Sequence, residues 1–246
     1  MPAPHDVPAR PDLPGAERIW SRSRVPLLAA AALILIQAVV AAINLSPLAD
    51  HYTVRVLFDV NGEATLVAWL SSAVLLVIAG GAGLAAVADR AAGISRRLWL
   101  GWALVGILFV GLSADEAAGL HELIGEKAHR VLDVEGLPSL YTWVLVVAPL
   151  GLVAAILMIR WFVVGIGLRS ATGKLGTAAV LLWAAVPVLE ALDPSLGGPV
   201  ALSVIEESLE AVGEALLLAG VLLYLATPGR FCALVEHLGG PVEPSG

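Results

Sequence analysis

One stretch decides most of what this chain can become. Residues 200–227, VALSVIEESLEAVGEALLLAGVLLYLAT, read as a long apolar helix with acids set into its first half. The uninterrupted apolar part, 215–226, is too short to cross a bilayer, which needs about 20 residues of helix. To span, the helix must draw Glu210 and Glu214 into the hydrocarbon and leave Glu206 and Glu207 at the rim. At about 100° per residue, Ser203, Glu206, Glu207, Glu210 and Glu214 fall within roughly a 100° arc. A carboxylate at that depth costs several kcal/mol unless it is paired, protonated or matched by a cation. Whatever compensates these acids is the question the rest of the sequence has to answer.

The setting is a membrane throughout. Apolar runs of spanning length recur along the chain, 59% of its residues are hydrophobic, and its mean hydropathy is +0.89. The reading is therefore all-α, a polytopic bundle of about six transmembrane helices. The spans fall near residues 25–45, 64–88, 98–124, 142–168, 175–192 and 200–227. A Pro- and Arg-rich tail, 1–24, reads as disordered and a short polar tail, 228–246, closes the chain. The lead before the first apolar run is too long, and the run too extended, for a cleaved signal peptide, so that helix is expected to be retained. Between the first two spans, YTVRVLFDV alternates before Asn61-Gly62, the pattern of a short hairpin or flap. The third helix meets no breaker until Gly136-Leu137-Pro138 and is expected to project from the membrane. The single cysteine, Cys232, excludes an internal disulfide and a CxxC site, and no basic patch suggests nucleic acid.

Lysine and arginine choose the orientation. Arg10, Arg18, Arg22, Arg24, Arg90, Arg96, Arg97, Arg160, Arg169, Lys174 and Arg230 fall on one side of the alternating spans. Arg55, Lys127 and Arg130 fall on the other. The positive-inside rule then puts both termini in the cytoplasm of a cell whose inner (plasma) membrane the chain crosses repeatedly. With that orientation the acids converge on the outer half. The third span leaves there at Asp115 and Glu116, the fifth at Glu190, and the sixth enters through Glu206–Glu214. The second starts nearby, at Asp59 and Glu63.

No Lys or Arg lies in the outer halves of the spans, so these acids must share protons or hold a metal. Carboxylates with one or two imidazoles suit divalent iron, manganese or zinc, among other ions. The candidate ligands are Asp115, Glu116, His121, Glu122, Glu207 and Glu210, with Glu214 as the group that moves protons. In one continuous helix Asp115, Glu122, Glu126 and His129 would lie within about 40° of a line. Glu126-Lys127-Ala128-His129 has a Glu-x-x-His spacing of the kind found in di-iron bundles, but no second copy exists. Glu126 and His129 read more simply as the wet face of a helix leaving the membrane.

The Ser113-Ala114-Asp115-Glu116 and His121-Glu122 pattern resembles a group of uncharacterised bacterial multi-span proteins with a Ser-x-Asp-Glu…His-Glu stretch and an acidic last helix. The likeness covers the second to sixth spans and implies a six-helix membrane protein without an activity. Three functions fit these residues. The first is a metal-dependent enzyme on a lipid or lipid-linked substrate. The second is a proton or cation transporter using Glu207, Glu210 and Glu214. The third is an assembly subunit whose acids pair with a partner protein's basic helix.

Overall fold

The computed structural model describes residues 24–60, 62, 65–132, 142–196 and 200–239. The expected tail up to residue 23, Asn61, Glu63, the Gly136-Leu137-Pro138 breaker and the side chain of Glu190 lie outside them. Among the described residues ten α-helices follow in order: α1 Val25–Asn44, α2 Tyr52–Phe58, α3 Leu66–Ala91, α4 Arg96–Ala118, α5 Leu120–Leu132, α6 Thr142–Val146, α7 Ala148–Arg160, α8 Ala171–Leu196, α9 Val200–Leu225 and α10 Pro228–His237. A π-helical turn, Trp161–Gly167, continues α7. Among the described residues there is no strand. Six helices there (α1, α3, α4, α7 with its π turn, α8 and α9) are long and apolar enough to cross a membrane. The chain is an all-α, multi-pass membrane bundle.

Hydrocarbon outside the bundle is as apolar as the packed inside, so close fit and a few polar contacts must hold these helices together. Accordingly Leu104, Ile107, Leu150 and Val164 face outward, while the interior is bound by specific clasps. Ser72 Oγ donates to the Ser113 carbonyl at 2.9 Å, and Ser113 Oγ returns a bond to the Ser72 carbonyl at 2.9 Å. Thr172 Oγ1 donates to the Gly220 carbonyl at 3.0 Å, joining α8 to α9. Each such bond is worth only about 0.6 kcal/mol between membrane helices; together they fix rotation about each axis.

The packing makes a ring with one helix outside it. α3 packs along α4 and α9, α9 along α8, and α8 against α7 and its π turn. The ring closes through aromatic side chains: Trp102 of α4 meets Trp161 at 4.9 Å and Tyr224 of α9 at 4.7 Å. Gly101 permits this, because a Cβ there would stand 2.1 Å from the Trp161 ring. α1 lies outside the ring, against α9.

Two expectations are corrected. The stretch read as a hairpin or flap is helix α2. Its alternation is too short to sustain a free hairpin, whereas a helix satisfies its own backbone at the membrane surface. Asn44 ties it down by donating to the Phe58 carbonyl at 2.7 Å. The third span does not run on unbroken either. Gly119 adopts φ +54 and its N–H bonds the Asp115 carbonyl at 2.7 Å, ending α4, and α5 starts afresh at Leu120. The common line through Asp115, Glu122, Glu126 and His129 therefore does not exist, because it required one continuous helix. Where one fourth span was expected over 142–168, α6 ends at Val146 and α7 starts at Ala148, and α8 covers Ala171–Leu196. The end of the chain, expected as a polar tail, includes α10, which packs on α3.

Candidate functional site

The acidic face of α9 is turned inward by what holds the helix on either flank. On one side Trp183 of α8 donates its indole N–H to the Glu210 carbonyl at 3.1 Å. On the other, Ser71 of α3 donates its hydroxyl to Glu214 Oε1 at 2.6 Å. Glu214 is only 5% exposed. From α1, the buried Gln37 directs its amide toward Ser208 at 3.5 Å. Helical spacing does the rest, carrying Glu207, Glu210 and Glu214 down one wall.

That wall bounds a cavity of about 80 Å³ between α1, α3 and α9. Glu207, Glu210, Ala211 and Glu214 form one side, and the remaining lining is apolar apart from Gln37 and Ser71. Among the described residues that line it, none is Lys, Arg or His. The charged groups that act on Glu207 are Glu210, Glu116, Glu214 and Glu206, all acids. Those that act on Glu214 are Glu210 and Glu116. Glu116 of α4 is thus near enough to act on both carboxylates.

Asp115 and His121 do not face that cavity as a pair of waiting ligands. Asp115 accepts from the His121 backbone N–H at 2.7 Å and lies 2.9 Å from its ring Nδ1. The carboxylate closes the helix break that Gly119 opens, and the imidazole edges onto Trp143 with centroids 4.9 Å apart. Glu122 sits in the first turn of α5. Farther along, Glu126 pairs with Arg130 on the exposed side, and His129 Nδ1 lies 3.2 Å from Thr142 Oγ1, tying α5 to α6. Among the described residues no three His, Cys, Asp or Glu side chains are grouped so as to hold a metal ion. Structural and catalytic zinc sites take at least three protein ligands. Holding divalent iron, manganese or zinc there would need donors beyond those the described residues bring together.

A second polar cluster escaped the sequence reading. At the far end of α3, Asp89 is fully buried. Tyr224 donates its hydroxyl to Asp89 Oδ2 at 2.6 Å, and Arg230 donates Nε–H to Oδ1 at 2.7 Å. The guanidinium carbon also stands 3.9 Å from the centre of the Tyr224 ring. Asp89 falls one residue past the expected second span, 64–88, and Arg230 within the expected polar tail, 228–246. The available signal was an acid following Ala85, Ala86 and Ala88, small residues that let neighbouring helices come close.

A family model described as a domain of unknown function, DUF8692, matches residues 26–225. The match reaches through α9 and stops short of α10. No curated protein and no solved structure matches the chain.

Proposed function

The chain belongs to this family, and we propose that it is a membrane carrier or receptor that exchanges a proton for a cation at Glu207, Glu210 and Glu214. One observation carries the reading. Glu214 is almost wholly buried, its carboxylate bonded by a serine hydroxyl, and the charges acting on it are themselves negative. At membrane depth such a group carries a proton or is matched by a cation, because the bare charge costs several kcal/mol. Alternation between those two states is a binding chemistry that needs no further cofactor. Beyond the acids the interior is filled by Trp102, Phe162, Leu217 and Val221, none of them accessible. That packing favours a site reached from one side over an open pore. With the orientation given by the basic residues, the accessible side is the extracytoplasmic one.

Dicyclohexylcarbodiimide, which reacts with protonated carboxyl groups in apolar surroundings, tests the reading on the full-length protein in lipid nanodiscs. The expected result is a mass label on the peptide carrying Glu214, abolished by Glu214→Gln. A folded wild-type protein that takes no label at Glu207, Glu210 or Glu214 would overturn it. A second reading stays in play because Glu116 of α4 is near enough to act electrostatically on Glu207 of α9, and carboxylate-bridged metal centres draw acids from more than one helix. Stoichiometric iron, manganese or zinc in the purified protein, lost in Glu210→Gln, would favour that metal enzyme acting on a lipid or lipid-linked substrate.

A further inference from the structure

The way α1 and α3 flank the cavity indicates what enters it. Both helices pack on α9 and scarcely on each other, so α9 is the floor of a groove whose open side faces hydrocarbon. The rims carry Ile36, 43% exposed, and Leu66, 48% exposed, and Phe58 of α2 covers one end. The floor carries Glu207, Glu210 and Glu214. Resting on the proton–cation reading above, we infer that the ligand is an amphiphilic amine entering sideways from the bilayer. Its ammonium head reaches the carboxylates and its single apolar tail lies between Ile36 and Leu66.

Each alternative ligand class meets a feature that disfavours it. A small inorganic cation would have to shed its water against walls that are mostly leucine, valine and isoleucine. An anionic or phosphate-bearing lipid would bring negative charge to a face of acids where none of the described lining residues is basic. The cavity, at about 80 Å³, has room for a few water-sized groups. A head group fits inside it and a tail does not, so the tail must stay in the gap. Apolar walls with a small number of charged groups at one end are the usual form of a site for such a molecule.

The probe is protection of Glu214 from carbodiimide in nanodiscs. Four additives are compared at equal mole fraction: N,N-dimethylhexadecylamine, hexadecanol, tetramethylammonium, and a two-chain cationic lipid. The tertiary amine is chosen because it is protonated yet does not couple to the activated carboxyl. It is expected to slow labelling at least tenfold, with the other three leaving the rate within twofold. Equal protection by hexadecanol would reduce the groove to an apolar slot, and equal protection by tetramethylammonium would remove any role for the tail. Equal protection by the two-chain lipid would mean that surface charge alone is read. Each of these, or no protection by the amine, overturns the inference. Absence of the label itself would instead overturn the proton–cation reading, so the two failures are distinct.

Discussion

Arg230→Ala is the sharpest test of how the end of the chain is held. The substitution strips a guanidinium from Asp89, which has no exposed surface of its own, while Arg230 is itself 20% exposed. Breaking one side of a buried ion pair costs about 3–5 kcal/mol. Tyr224 keeps its hydrogen bond to the same carboxylate, which argues for the lower end, about 3 kcal/mol. The lost stacking on the tyrosine ring contributes about 0.5–2 kcal/mol within the same event. Since 1.36 kcal/mol is a factor of ten, undocking of α10 should become at least about a hundredfold more frequent. Hydrogen exchange of the backbone amides of α10, in nanodiscs, reads that equilibrium directly. The double variant Asp89→Asn with Arg230→Ala should recover part of the loss, because no charge is then stranded. Exchange in Arg230→Ala within threefold of wild type, or strictly additive effects in the double variant, would refute the argument.

Two further expectations concern glycines. Gly101→Ala should destabilise the bundle by about 1–3 kcal/mol through overpacking, since its Cβ would overlap the Trp161 ring. Thermal unfolding in detergent would show it, and Trp161→Leu in the same protein should relieve it. Gly119→Ala should cost about 1–2 kcal/mol, the penalty of a left-handed backbone for a residue with a Cβ. Hydrogen exchange should rise first at Leu120 to Leu123, where α5 begins; unchanged exchange there would mean the break does not depend on glycine.

Much of this was legible because membrane crossing is written in one dimension. Runs of about 20 apolar residues name the six spans with no knowledge of their neighbours, and helical angle alone turns Glu207, Glu210 and Glu214 to one wall. The break at Gly119 was not legible. A glycine inside a helical pattern is usually tolerated, and what accompanies the break here is a contact that bridges the glycine, between Asp115 and His121, six positions apart. The same contact brings the Asp115 carboxylate to the His121 ring, a pairing that one continuous helix would not give. α2 was misread because Tyr-Thr-Val-Arg-Val suits a strand locally, while the deciding partner, Asn44, belongs to the preceding span. The Asp89 cluster depends on a residue 141 positions away, a partner that the small residues before Asp89 do not identify.

The helix that stands outside the ring is also shorter than the two that flank the cavity with it. α1 has 20 residues against 26 in each of α3 and α9, about 30 Å against about 39 Å at the α-helical rise. In a thin bilayer the long helices must lean to bury their apolar length, whereas α1 already matches the hydrocarbon and can stay upright. The angle between them, and with it the width of the doorway, then follows the thickness of the surrounding lipid. Bilayer composition becomes a control on entry that acts without touching a single carboxylate.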